Sequence, residues 1–252
     1  MCTIHMSKKR MDTCPQREYF VVGVWRDHVL KPIRAAENTL DAEYEEVIAE
    51  RNAFERFRDR VAAVDTMSPT LSSSQRPGHR LDTGGGQRER VRTAFRETVM
   101  STEHYESAYG ETLKEHAVGE LSANIAATLC REASTPFTTV EKESLMTCIE
   151  RSVELRRQYG DQLRDERDSL ETSRESLGDL LAACEAPSVP DWYRSDFESE
   201  VDAVSRARQR IVHRRNPVSG KDGHDLCQYL YQDHEWTYPV LTAVTRLHDT
   251  TL

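Results

Sequence analysis

Lysine is scarce in this chain. It stands only at Lys8, Lys9, Lys31, Lys114, Lys142 and Lys221, and every other member of the 34 basic residues is arginine. Isoleucine is sparse too, aromatics make up 7% of the sequence, and the hydrophobic residues reach only 37% of 252 positions. A compact globule carries about 45–50% apolar residues counting glycine, so a thick core is excluded and many residues must lie on solvated faces, as in thin helical pairs. Long apolar runs are missing as well. The longest, from Tyr19 to Trp25, is far below the ~18–20 residues that span a bilayer, and no secretory leader pattern precedes it. The six cysteines (Cys2, Cys14, Cys130, Cys148, Cys184, Cys227) are too scattered for the disulfide framework of a small secreted domain, so reduced, buried thiols are expected. A cytoplasmic protein with no membrane span follows. The net charge of −9 repels nucleic acid and anionic lipid on average. Acid-rich, lysine-poor usage fits a salt-rich cytoplasm or a GC-rich genome.

What is present is helical periodicity. Residues 1–16 read as a disordered N-terminus, and the close spacing of Met1, Met6 and Met11 leaves the start of translation open. A helical arm spans 17–65, with an interruption expected at Pro32, whose ring nitrogen donates no hydrogen bond. Beyond it Ile33, Leu40, Val47, Phe54 and Val61 recur every seven residues, with Ala36, Tyr44, Phe57 and Val64 at half-turn positions. That is a coiled-coil seam about 50 Å long. Glu43, Glu50 and Arg51 intrude on it, and its apolar stripe requires a covering helix. Residues 66–88 are rich in Ser, Pro and Gly, which read as a flexible linker.

Helical pattern resumes at Glu89 and forms a small subdomain over 89–134. One face carries Val91, Phe95, Val99 and Tyr105; after a break at Gly110, a single second helix carries Leu113, Leu121, Ile125 and Leu129. Thr138 and Glu141 form a capping box that opens the longest helix, 139–184, where Leu163, Leu170, Leu177 and Cys184 are again seven apart. Pro187 and Pro190 close it, Asp191 can cap the next helix to about Arg215, and the six-residue connection makes 139–215 an antiparallel hairpin. Residues 216–252 hold short C-terminal helices, the last starting at Pro239. The expected fold is all-α: an extended antiparallel coiled-coil bundle with a small helical subdomain.

The stretch from Val91 through His104, Tyr105 and Tyr109 to Leu113 resembles the central signature of a family of uncharacterised haloarchaeal helical proteins. Tyr229 to Asp233 followed by Tyr238 to Leu241 resembles that family's C-terminal signature. The resemblance spans roughly residues 35–250. It implies long heptad-patterned helices, a polar linker near residue 70 and a salt-adapted cytoplasmic origin, and it supplies no activity.

Candidate chemistry is thin. His104 and Tyr105 between Glu103 and Glu106 suggest acid–base work, against a plainer reading in which Tyr105 packs inward and His104 caps a helix or faces water. His224, Cys227 and His234, like Cys2, His5 and Cys14, each give one pair and a straggler where structural zinc needs four converging ligands. Arg206, Arg208, Arg210, Arg214 and Arg215 with His213 form a basic stretch. In molar salt the Debye length is ~3 Å, which suppresses binding through phosphates alone, so salt bridges to the long helix are preferred. Neither Gly220–Lys221 nor Gly84–Gly86 has the spacing of a phosphate loop. No catalytic, cofactor-binding or metal residue is assigned, and no cofactor is expected. The expectation is a non-enzymatic coiled-coil interaction or scaffold protein, with a protein partner or self-association through its heptad seams. A nucleic-acid-associated role through Arg206–Arg215 and a ligand-binding or enzymatic subdomain around His104 are its rivals.

Overall fold

The computed structural model describes residues 15–66, 86–133, 135–184, 193–214 and 225–251, with side chains from residue 24. Among them the fold is all-α, without strand or sheet. The elements are α1 (Pro15–Ala62), α2 (Gly86–Thr98) running into a 3-10 turn (Val99–Ser101), α3 (Tyr105–Ala108), α4 (Leu113–Glu120), α5 (Ala123–Leu129), α6 (Thr139–Cys184), α7 (Tyr193–Arg214), α8 (Leu226–Leu230) and α9 (Pro239–Thr251). No helix among the described residues is long and apolar enough to cross a membrane. The chain divides into two compact units, Met1–Thr39 with Glu166–Leu252 and Leu40–Asp165, so α1 and α6 each contribute one half to either unit.

In the unit 40–165, the α1 half and the α6 half run antiparallel. Glu50 pairs with Arg156, Glu43 accepts a hydrogen bond from Tyr159, and Lys142 donates to the carbonyls of Ala62 and Val64 at the end of α1. One core joins them to α2, α4 and α5, built from Phe54, Phe57, Val61, Phe95, Ile125, Leu129, Phe137 and Leu145 among others. Phe57 meets Phe95 edge-on with centroids 5.1 Å apart. The capping box that opens α6 is formed: Glu141 N–H donates to Thr138 Oγ1, and Thr138 N–H donates to Glu141 Oε2.

In the other unit Arg174 of α6 donates to Glu37 of α1, and α7 lies antiparallel to α6, since Arg208 meets Glu166 while Glu200 and Ala203 border Ser176 and Leu180. Buried residues here include Val29, Leu30 and Ile33 of α1, Leu170, Leu177 and Leu181 of α6, Phe197 and Val201 of α7, and Val240, Ala243 and Leu247 of α9.

Four local expectations are corrected. Helix α1 includes Pro15 and Gln16, residues expected in the disordered N-terminal segment over 1–16. It also runs through Pro32 without interruption. Proline strips the His28 carbonyl of its usual donor, and the Arg246 guanidinium of α9 takes that place at 2.9 Å. The third correction concerns 86–88, which belong to α2 rather than to a linker; residues 67–85 lie outside the described residues. Arg88 is fully buried there, where it answers carbonyls at the end of α5 and just before α6. It donates to Thr128 O near the end of α5, to Pro136 O at 2.9 Å and to Glu141 at 3.2 Å. Arg92 does the same for Leu129 O and Arg131 O. Fourth, the single helix expected over 113–129 is two, α4 and α5, because Ser122 caps a new start by accepting from Ile125 N–H. Gly110, at φ +56°, follows α3 and closes the stretch that began at α2, which the 3-10 turn at Val99–Ser101 already divides. Residues 1–14, 185–192 and 215–224, with the cap expected at Asp191, lie outside the described residues.

The seam positions are covered within the chain itself. Ile33, Leu40, Val47, Phe54 and Val61 are at most 5% exposed, Leu163, Leu170 and Leu177 are at 0%, and Cys184 at the end of the second seam is half-buried. Self-association through these seams therefore has no bare stripe to use.

The proline repair is testable by a double-mutant cycle in urea unfolding. Arg246→Ala is expected to cost about 1 kcal/mol in the native sequence and markedly less in a Pro32→Ala background, where the amide restores the donor. Equal costs in both backgrounds would refute the repair.

Candidate functional site

Two clusters of chemically capable side chains emerge, one in each unit. In the unit 40–165 the hub is Glu50, an intruder on the α1 seam. Its Oε1 accepts from the Tyr109 hydroxyl at 2.7 Å and lies 3.1 Å from His104 Nε2. Its Oε2 accepts from Arg156 Nε at 2.8 Å, and the same guanidinium reaches Glu120 at 2.9 Å while lying over the Phe54 ring. His104 occupies the cap position of α3 but makes no capping bond with its side chain; the pairing with Glu50 replaces both roles expected for it. Tyr105 is buried and donates to Glu111 O at 3.1 Å. Glu111 Oε2 lies 3.1 Å from Nδ1 of the buried His116, whose ring is boxed by Tyr105, Tyr109 and Phe95. Glu103 and Glu106 are exposed.

Burial by itself would raise the Glu50 pKa, but the Arg156 charge and the bonds from Tyr109, His104 and Arg156 outweigh it and hold the carboxyl below its ordinary 4.5. Burial and then the Glu50 charge push the Tyr109 hydroxyl up, so it stays a proton donor. Through these bonds the Glu50 carboxylate ties α1 to α6 and to the segment around α3. The space enclosed by Glu50, Phe54, Tyr105, Tyr109, His116 and Arg156 is filled, with no room for a water-sized body.

The second cluster is deeper. Glu166 of α6 and Arg208 of α7 are both 0% exposed and form a two-pronged pair at 2.7 and 2.8 Å. Arg208 Nη1 also donates to Ser169 Oγ at 2.8 Å, and Nη2 lies 3.5 Å from Cys227 Sγ. The Tyr231 hydroxyl, from the turn after α8, donates to Glu166 Oε1 at 2.9 Å. Burial and the neighbouring Glu166 charge push the Tyr231 hydroxyl up. Burial works against the Arg208 charge, yet the bonds and charge of Glu166 raise its pKa above the ordinary value.

The basic stretch is therefore split. Arg208 is inside; Arg206 is 63% exposed and 3.8 Å from Asp202; Arg210, His213 and Arg214 are exposed, and Arg215 lies outside the described residues. The candidate ligand set is not brought together: Cys227 faces Arg208, whereas His234 bonds Thr39 Oγ1 at 2.9 Å and stacks on Trp236. His224, Cys2, His5, Cys14, Gly84, Gly85, Gly220 and Lys221 lie outside the described residues, and Gly86 opens α2. Among the described residues no group of three or more His, Cys, Asp or Glu side chains is placed to hold a metal. Among the described thiols Cys227 is buried, Cys130 is exposed, and Cys148 and Cys184 are intermediate. Sequence reasoning missed Glu166, Arg88 and the inward turn of Arg208. The one available signal was that Glu166 sits between the heptad positions Leu163 and Leu170.

A family model described as a domain of unknown function, DUF7260, matches residues 31–251. No curated protein and no solved structure matches the chain.

Two outcomes test the clamps. Arg208→Met is expected to destabilise the protein by about 3–5 kcal/mol, and adding Glu166→Met is expected to recover part of that loss, because no lone charge is then buried. Additive losses in urea unfolding would count against the pair. For Glu50, the folded-state carboxyl titrates below 4.5, so its ionised form favours the folded chain above that value. The contribution drains away as pH falls through the folded-state pKa. Glu50→Gln is expected to flatten the fall in stability below pH 4.5; an unchanged acid profile would remove Glu50 from this role.

Proposed function

The chain belongs to the DUF7260 family, a domain of unknown function, and on that premise we propose that it is a non-catalytic helical scaffold for protein contacts. One observation carries the reading: in both clusters the side chains capable of chemistry are bonded to each other across helices, and Glu166 and Arg208 are sealed from solvent. Such groups hold helices in place. A cytoplasmic setting fits the lysine-poor, acid-rich composition, which a GC-rich genome gives as readily as a salt-rich cytoplasm, and with the seams covered, partners must use the outer faces.

Retention on nucleic acid through Arg206, Arg210 and Arg214 is the second reading, favoured by their four-residue spacing on α7. Among the described residues of the stretch it has these three exposed arginines to work with, since Arg208 is withdrawn into the pair with Glu166.

The scaffold reading is tested by two measurements on the intact chain. Cross-linking in cells of its source, followed by capture, is expected to return a protein in stoichiometric amount. Thermal-shift screening against metabolites, nucleotides and metal ions is expected to return no ligand that stabilises the wild type but not a Glu50→Gln or Glu166→Gln variant. A small-molecule hit that depends on either glutamate would replace this reading with a ligand-binding one. Salt-sensitive retention on DNA or RNA, lost on changing Arg206, Arg210 and Arg214 to Gln, would favour the second reading.

A further inference from the structure

Helix α7 turns Phe197, Val201 and Arg208 inward. The adjoining stripe runs through Asp196, Glu200, Ala203, Ala207, Arg210 and Arg214, spaced four, three, four, three and four residues apart. That is the alternation of a two-stranded coiled-coil seam. At about 100° per residue, all six fall within one narrow face. The face is open: Asp196, Glu200, Ala203, Arg210 and Arg214 are exposed, Ala207 is half-buried, and Ile211 at its border is 38% exposed. Beside it Ser176, Asp179 and Leu180 of α6 with Glu200, Ala203 and Val204 of α7 line an open groove of about 390 Å³.

The order of side chains along this stripe is two acids, two alanines, two arginines. Reversed in direction, it is its own electrostatic complement. We propose that α7 is a self-docking face that pairs antiparallel with α7 of a second copy of this chain about a two-fold axis passing between Ala203 and Ala207. In that arrangement Glu200 faces the second copy's Arg210, Asp196 faces the second copy's Arg214, and Ala203 faces the second copy's Ala207, each contact occurring twice as two-fold symmetry requires. The alanines let the two backbones approach closely. Asp179 adds a further negative charge in the groove beside Glu200, on the side where the arginine half of the second α7 arrives. A parallel pairing sets acid against acid and arginine against arginine, so the charge order selects the antiparallel one.

This inference rests on the scaffold reading and names the partner as a second copy. Sedimentation velocity of the full chain in about 0.1 M salt tests it. The wild type is expected to form a reversible dimer that weakens as salt screens the charges. Asp196→Arg with Glu200→Arg in one variant, and Arg210→Glu with Arg214→Glu in another, are each expected to weaken self-association by roughly tenfold or more, since four attractive pairs become repulsive. Mixing the two variants is expected to restore a dimer. All the changed residues are exposed, and an unchanged helical circular-dichroism spectrum confirms that each variant folds. A wild type that stays monomeric, a dimer indifferent to both reversals, or a mixture that fails to associate would each overturn the proposal. A monomeric result leaves the scaffold reading standing, because capture and ligand screening decide that separately.

Discussion

A carboxylate held inside a helical seam by an arginine and a tyrosine is the constraint on which both units depend. Taking Glu166 and Arg208 out of water is costly, and their mutual attraction offsets that cost only when every lone pair finds a donor. Glu166 approaches that condition: its Oε1 accepts from Arg208 and Tyr231, and its Oε2 accepts from Arg208. An apolar seam of period seven is nearly indifferent to sliding by one heptad, because leucine meets leucine again. A slide of α7 along α6 would instead leave Glu166 buried without Arg208, a loss far larger than any repacking of leucines. The polar residues thus choose one alignment among several that the apolar ones permit. Glu50 with Arg156, and Glu37 with Arg174, act on α1 and α6 in the same way within their own units.

The parts of this fold that were legible in the sequence are those governed by local periodicity and local hydrogen bonding. Apolar residues seven apart at 33–61 mark a stripe whatever lies opposite, and Thr138 with Glu141 closes a capping box within four residues. The illegible parts all involve partners distant in sequence. Pro32 breaks a helix on local grounds; it is tolerated here because Arg246, 214 positions later, answers His28 O. Arg88 reads as a linker residue until the carbonyls of Thr128 and Pro136 are brought to it. Arg208 looks like one more member of a basic stretch, and nothing nearby in the sequence shows that its face of α7 points inward. The intrusion of Glu50 into the seam was visible, but its partners on α3 and α6 were not.

The two signature stretches gain a physical meaning from these clamps. Tyr109, in the first, and Tyr231, in the second, each place a phenol on the glutamate of a long helix, and in each case an arginine from a different helix completes the set. The phenol brings a neutral donor to a carboxylate that already has its arginine. It also ties a short irregular segment, the α3 turn or the turn after α8, to a regular helix. The same residues that suggest acid–base work by type also fix short segments to long ones.

With the apolar stripes covered, what the chain offers outward is a pattern of charge. Along α7 that pattern is ordered: Asp196, Glu198, Glu200 and Asp202 precede Arg206, Arg210, His213 and Arg214. Acids near the N-terminus and bases near the C-terminus complement the helix dipole, so the order stabilises the isolated helix before any partner is considered. The same order gives the helix opposite charge at its two ends, which is what antiparallel recognition of an identical helix requires. A feature favoured by local helix electrostatics is thereby available for assembly without any change to the buried clamps. The interior constraint settles which face of α7 is turned in, through Arg208, and so determines which of its residues are left to meet another molecule.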